Sequence, residues 1–146
     1  LEMFGYECTL KTDTEVISYL FDLFVRERKM SLEDTCSVLS PPLWETIEGI
    51  RDEKKRNTLL RLRQYYPQAL LNGPFAILAS NGAVVVAMND NLKLRPLVAA
   101  RRGDRTFFSS EECSFEILCK DRERTWMLKG GTPEIVRMKE AARDAA

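Results

Sequence analysis

Apolar residues recur at helical spacing in the first half of the chain. Residues 12–15, Thr-Asp-Thr-Glu, fit a capping box, in which Thr12 caps a helix and Glu15 reaches back to the amide of Thr12. The apolar positions after the cap form one broad face: Val16, Ile17, Leu20, Phe21 and Phe24. The pattern predicts an amphipathic helix that begins after Thr12 and ends near the charged residues 26–29.

Three further helices are predicted before residue 70. Ser31 repeats the capping pattern, and Pro41-Pro42 end the helix behind it, because proline disfavours helical backbone in the preceding residue. Ser40 is expected to cap a third helix. The charged residues 51–56 lead into a fourth, whose apolar positions are Leu59, Leu60, Leu62 and Tyr66.

The second half shows short apolar strands separated by turn residues. Asn81-Gly82 predicts a tight hairpin, because this dipeptide accepts the positive φ angles of such turns. Gly103-Asp104 predicts a second hairpin and Gly130-Gly131 a third. Helices followed by antiparallel strands indicate an α+β fold, and the continuous apolar strand after Asn81-Gly82 indicates a sheet covered on both faces. We expect a single domain over residues 1–146, because no repeat or break in composition divides the chain.

Charge and composition exclude several classes of function. Lys plus Arg and Asp plus Glu each number 22, so the net charge is zero and no positive field attracts nucleic acid. The apolar runs are far shorter than the roughly 20 residues that cross a bilayer, so no membrane association is expected. Without a visible export signal, we expect a cytoplasmic protein. The 4 cysteines form no Cys-x-x-Cys pair and histidine is absent, so we expect reduced thiols, no metal and no cofactor.

Three stretches occur in an order and spacing that match a known family. They are residues 1–5 with 12–17 (TDTEVI), residues 71–77 (LNGPFAI), and Asp90 with residues 94–97 (LRPL) and 110–111 (SE). Together they resemble the glutaminase domain of class II glutamine amidotransferases. This domain belongs to the N-terminal-nucleophile hydrolases, and the resemblance is strongest to the glutamate-synthase-like branch.

The resemblance implies a fold, an activity and a site. The fold is part of a four-layer αββα sandwich, and the activity is hydrolysis of glutamine to glutamate and ammonia on a cysteine. In such enzymes the cysteine stands at the mature amino terminus, whereas Leu1 carries no nucleophilic group. The chain alone is therefore expected to be inactive. The resemblance also implies that Asp13 holds the α-ammonium group of bound glutamine.

Partners are implied by the same resemblance. An upstream segment would supply the cysteine, and a synthase subunit would receive the ammonia. Because an incomplete sandwich leaves strand edges and apolar faces uncovered, we also expect an oligomer or a companion fragment.

Local structure offers a second explanation for each residue at the helix start. An acidic residue in the first helical turn, such as Asp13, is stabilised by the helix macrodipole without any ligand. The cap explains Thr12, and the reciprocal capping box explains Glu15, so both are interpreted as structural.

The later stretches also have structural interpretations. Lys93 stands where the family usually has glycine, which predicts a different backbone path in that loop. Arg95 is expected to form an architectural ion pair with Asp90 or Glu111. Asn72-Gly73 is expected to turn the chain into a strand.

Two other functional classes remain open. One is a non-catalytic amidotransferase-like module for interaction or regulation, and the other is an unrelated α+β ligand-binding protein. A cysteine–histidine mechanism is excluded, because the chain has no histidine to act as the base. The cysteines are interpreted as structural thiols: Cys8, Cys36, Cys113 and Cys119.

Overall fold

The chain forms two compact units in the computed structural model, which describes residues 1–138. The first unit comprises Leu1–Leu71 and is helical, and the second begins at Asn72 and carries the strands. The α+β class predicted from the sequence is therefore confirmed. The single domain over residues 1–146 stays a prediction.

The first unit contains four α-helices and a π-helical segment. Thr12 caps α1 as predicted, since its hydroxyl accepts the amide of Glu15 at 3.2 Å. The bounds are α1 Asp13–Phe21, a π-helix Asp22–Glu27 that continues it, α2 Leu32–Leu39, α3 Trp44–Glu48 and α4 Glu53–Tyr65. Within residues 1–138, no helix combines the length and the apolar character that spanning a bilayer requires.

Two capping predictions have different outcomes. Ser31 caps α2 by accepting the amide of Asp34 at 3.0 Å, as predicted. The prediction that Ser40 caps α3 is wrong, because Ser40 is buried and its amide donates to Cys36 O at the end of α2. Leu43 stands at the start of α3 without a side-chain cap.

A small apolar core holds the helices of the first unit together. Its buried members are Phe24, Val38 and Leu39, which come from the π-helix and α2. Tyr66 meets the Phe24 ring edge-on, with ring centres 5.2 Å apart. Leu20 and Phe21 of the predicted apolar face also pack against this core, whereas Val16 is exposed, so the prediction is confirmed in part.

Six strands of the second unit form two antiparallel three-stranded sheets. Their bounds are β1 Ala76–Ser80, β2 Val84–Asn89, β3 Val98–Arg102, β4 Arg105–Ser109, β5 Arg124–Met127 and β6 Glu134–Arg137. One sheet has the order β1-β2-β6 and the other β4-β3-β5. The first two predicted hairpins are confirmed, with Ser80 opposite Val85 and Arg102 opposite Arg105.

The third predicted hairpin is wrong. β5 pairs with β3 and β6 pairs with β2, so the strands on either side of Gly130-Gly131 belong to different sheets. Gly130 passes close to another segment, where an added Cβ would lie 2.4 Å from Asn91 O. The two glycines therefore carry the chain from one sheet to the other through a narrow passage, which no side chain fits.

The sheet β4-β3-β5 is covered on both faces. On one face Ala99 joins Ala87 of the other sheet, together with Leu97 and Leu128. On the opposite face Val98 and Ala100 pack against the short helix α5, Phe115–Leu118, through the fully buried Phe115. The second unit is thus layered as helix, sheet and sheet.

Candidate functional site

The loop ahead of α1 folds around the carboxylate of Glu15. Glu15 Oε1 accepts the amide of Thr9 at 2.8 Å and its hydroxyl at 3.2 Å, while Oε2 accepts the amides of Leu10 at 2.8 Å and Lys11 at 3.0 Å. The hydroxyl of Tyr19 lies 3.3 Å from Oε1. Only 7% of Glu15 is exposed, so this charge sits beneath the loop. The loop is held mainly by its main-chain amides, with one further bond from the Thr9 hydroxyl.

Hydrogen bonds explain why a buried carboxylate stays ionised here. Burial by itself raises the pKa of Glu15, but the amides of Thr9, Leu10 and Lys11 outweigh it and bring the pKa below its usual range. The sequence predicted that Glu15 accepts the amide of Thr12, and this prediction is wrong. The carboxylate instead accepts the amides of residues that precede Thr12, among them Leu10 and Lys11. Lys11 has φ of +53°, a strained value for lysine, and it directs consecutive amides at one charge.

Asp13, the residue predicted to bind glutamine, is the first residue of α1 and is exposed. Its Oδ1 accepts the amide of Thr14 at 2.8 Å, and no residue of the first unit donates to Oδ2. The carboxylate is thus fixed at one oxygen and open at the other. The helix N-terminus stabilises the Asp13 carboxylate but disfavours a cation nearby, so the carboxylate itself would have to attract an ammonium group.

A second network ties the amino-terminal segment to the π-helix. Tyr6 donates to Asp22 at 2.5 Å, and Arg26 binds Asp22 through two nitrogens at 2.6 and 2.8 Å. Arg26 and then Tyr6 lower the pKa of Asp22 to about 2. The rings of Tyr6 and Tyr19 lie 5.0 Å apart, which joins this network to the Glu15 loop.

An open cleft of about 310 Å³ lies beside this network. It is lined by Phe4, Gly5, Tyr6, Leu23, Arg26, Glu27 and Arg28. Asp13 is not among them, so the first unit alone does not enclose the carboxylate that the sequence assigned to substrate binding.

The second and third family-like stretches meet in the second unit. The amide of Asp90 donates to Phe75 O at 3.1 Å, which links the residue before β1 to the loop after β2. The Asp90 carboxylate then accepts the amides of Leu92, Leu94 and Arg95 at 3.0 to 3.2 Å. Residues 90–95 therefore form a compact turn that leads toward β3.

Arg95 behaves differently from expectation. Arg95 meets Asp90 through its amide and not its guanidinium, and no ion pair with Glu111 occurs in the described part of the chain, so that prediction is wrong. Lys93 has φ of +56°, a value that favours glycine. The different backbone path predicted for Lys93 stays a prediction.

Asn72-Gly73 stands just before β1, where Gly73 has φ of +100°. The prediction that this pair turns the chain into a strand is confirmed, because few residues other than glycine take that backbone angle.

Two of the four cysteines lie in environments that disfavour the thiolate. All four are free, as the sequence predicted. Burial raises the pKa of Cys36 to about 12, and the hydrogen bond to Glu111 raises the pKa of Cys113. Both environments disfavour the thiolate that a nucleophile requires. Among residues 1–138, no three acidic or cysteine side chains converge as metal ligands.

The whole chain has an archaeal relative. It is 39% identical over all 146 residues to an uncharacterized protein of Archaeoglobus fulgidus, and it spans 38% of that protein's length. No family model matches the chain. No solved structure matches it either. Both units therefore recur together within a longer archaeal protein, and the assignment of function depends on the site.

Proposed function

We propose that this chain forms the later part of a class II glutamine amidotransferase domain within a longer protein. In the complete domain, the two sheets would be the central layers of an αββα sandwich. The observation that carries the proposal is Asp13 at the start of α1, directly after the anchored loop, whose carboxylate is held at one oxygen and is open at the other. This is the position that the family resemblance assigns to the α-ammonium group of glutamine.

Asp13 would contribute recognition and orientation. A carboxylate and an ammonium group form a charge-assisted hydrogen bond, which is stronger than a neutral one when water is excluded. Anchoring the α-carbon end of glutamine fixes the distance to the side-chain amide, where the reaction takes place. Residues upstream of Leu1 would close the pocket over Asp13, since the first unit leaves it exposed.

The chemistry would occur on a cysteine outside this chain. Its thiolate attacks the side-chain amide carbon of glutamine, the C–N bond breaks, and ammonia leaves after protonation. Water then hydrolyses the thioester to glutamate and regenerates the thiol. The ammonia would pass to a synthase subunit, and the role of this chain is to hold glutamine during both steps.

The backbone of Lys93 gives independent support. The family resemblance expects glycine at this position, and lysine here has φ of +56°. At the position where the family resemblance expects glycine, the Asp90 loop therefore has a backbone angle that glycine takes readily.

The test uses the natural longer protein and measures glutamine hydrolysis as ammonia released. Asp13→Asn removes the charge while keeping the shape, and we expect kcat/KM to fall on the order of a hundredfold, mainly through KM. Asp34→Asn, in the first turn of α2, is the matched control and should leave the kinetics unchanged. Equal turnover by Asp13→Asn and the wild type would contradict the proposal.

The isolated chain provides a second test. Because its cysteines lack an activating base, we expect no turnover from residues 1–146 alone. We also expect it to self-associate or to bind a fragment carrying the upstream residues, since edge strand β1 exposes Leu78. Measurable hydrolysis by the isolated chain would contradict the first expectation, and a monodisperse monomer the second.

The alternative function is a non-catalytic amidotransferase-like module, which fits the environments of Cys36 and Cys113 equally well. Measuring ammonia release from the natural longer protein distinguishes the two functions. The module would bind glutamine or a partner without releasing ammonia, whereas the amidotransferase releases one ammonia for each glutamine consumed.

A further inference from the structure

We infer that Glu15 is a positioning residue for glutamine recognition, an inference that rests on the proposed function. Glu15 fixes the loop ahead of α1 and so sets the direction of the Asp13 carboxylate toward the α-ammonium group of the substrate.

Glu15 makes more contacts than helix capping requires. A capping-box glutamate satisfies one amide, that of the capping residue. Glu15 instead accepts three successive loop amides, from Thr9, Leu10 and Lys11, and hydroxyls from Thr9 and Tyr19. Its carboxylate therefore orders the whole segment that enters the helix, including the strained Lys11.

The link from Glu15 to Asp13 runs through the main chain. Residues two apart on a helix do not face each other, so Glu15 does not share the ligand position of Asp13. Glu15 binds the amide of Lys11 at 3.0 Å, and its own amide binds the hydroxyl of Thr12 at 3.2 Å. These bonds fix the two residues before Asp13, and Asp13 can then turn only about its own side-chain torsions.

The start of α2 shows that this arrangement is not a general feature of capped helices. Asp34 occupies the same third helical position behind the capping residue Ser31. Within the first unit, Asp34 gives only its main-chain amide to the cap, and no loop amides converge on its carboxylate. Asp34 is therefore the matched control for Glu15, because it has the same helical position but does not bind loop amides.

The experiment compares two substrates in the natural longer protein. Glutamine carries the α-ammonium group, and 4-carbamoylbutanoate is the same molecule without it. Asp13 can favour only the first, so the ratio of their kcat/KM values reports the Asp13 contact. We expect Glu15→Gln to lower this ratio about tenfold, with kcat at saturating glutamine little changed. Asp34→Asn should leave the ratio as in the wild type.

A merely structural role for Glu15 gives a different result. Loss of folded protein reduces the turnover of both substrates equally and leaves their ratio unchanged, which would overturn the inference. If Glu15→Gln does not fold, Thr9→Val removes one donor and keeps the amide, and it should lower the ratio about twofold. An unchanged ratio in Thr9→Val would overturn the inference equally.

Failure of the proposed function looks different again. A wild-type protein that releases no ammonia from either substrate overturns the proposed function and this inference with it. A wild-type protein that is active and prefers glutamine through Asp13, but whose preference is unaffected by Glu15→Gln, overturns only the inference.

Discussion

Each unit of the chain contains one buried carboxylate that folds a loop around itself. Glu15 in the first unit and Asp90 in the second are 7% and 6% exposed, and each accepts three main-chain amides from a single loop. Each loop contains a lysine with positive φ, Lys11 at +53° and Lys93 at +56°. In each unit, a buried carboxylate that accepts loop amides thus stabilises irregular backbone.

The two loops lead to different kinds of residue. The Glu15 loop ends at the exposed Asp13, whereas the Asp90 loop ends at the buried Leu97 and enters the core of the sheets. The contrast indicates that a buried carboxylate that accepts loop amides can serve two purposes. In the second unit it secures the fold, and in the first it presents a carboxylate to solvent. Substitutions in and around the loops can separate these roles, and the largest effect is expected at Asp90.

Asp90→Ala should destabilise the protein most. It removes the charged acceptor of three part-buried main-chain hydrogen bonds, and their loss costs about 3 kcal/mol in total. Urea unfolding measures the loss of free energy. Asp121→Ala, which removes only the exposed ion pair with Arg102, is the control and should change stability little. A loss equal to that of the control would mean that the loop does not depend on Asp90.

Gly130→Ala should be the next most damaging change, at about 2 kcal/mol. The added methyl group would lie 2.4 Å from Asn91 O and 3.0 Å from Asp90 O, so the passage between the sheets has to widen. Thermal unfolding reports the effect. In Gly49→Ala the nearest atom lies at 3.4 Å, an ordinary contact, and this variant should unfold at nearly the wild-type temperature.

Acidic pH should weaken both loops. The folded-state pKa values of Glu15 and Asp90 both lie below their ordinary values, 4.5 and 3.8, because loop amides outweigh the opposing effect of burial. A lowered carboxylate pKa stabilises the fold above the ordinary value and loses that contribution as the pH falls through the folded value.

We therefore expect the unfolding temperature to fall below about pH 4.5. Asp90→Asn and Glu15→Gln should each flatten this decline, because neither amide titrates. A decline as steep as that of the wild type in both variants would show that other carboxylates, such as Asp22, control the acid response.

Lys93→Gly should give the smallest effect, a gain of about 0.5–1 kcal/mol, because glycine takes positive φ without a steric penalty. Lys11→Gly should gain a similar amount if the two loops are equally strained. Lys120→Gly is the control. The φ angle of Lys120 is not positive, so this substitution should not raise the free energy of unfolding. A loss of stability in Lys93→Gly would show that its side chain contributes more than the strain removes.

The features predicted correctly from the sequence are those that a few adjacent residues determine. Thr12 and Ser31 cap helices through amides three residues away, and Asn81-Gly82 sets its own turn. The partners of the two strands around Gly130-Gly131 are chosen by sheets assembled from distant residues, so the local turn pattern was misleading there.

The candidate site was predictable only in part. The cap indicated that Asp13 begins a helix, but nothing in the sequence showed that Glu15 would reach three amides, because that depends on the strained turn at Lys11. The Arg95–Asp90 pair was wrong for a related reason, since the loop amides occupy the carboxylate that the guanidinium was expected to bind. Glutamine binding by Asp13 stays a prediction.

The most direct test of the amidotransferase assignment is covalent labelling of the natural longer protein. A glutamine analogue with an electrophilic carbon in place of the side-chain amide reacts with the nucleophile, and mass spectrometry identifies the labelled residue. The assignment predicts a label on a cysteine at the mature amino terminus, upstream of Leu1, that forms more slowly in Asp13→Asn. A label on Cys8, Cys36, Cys113 or Cys119, or no label at all, would contradict it.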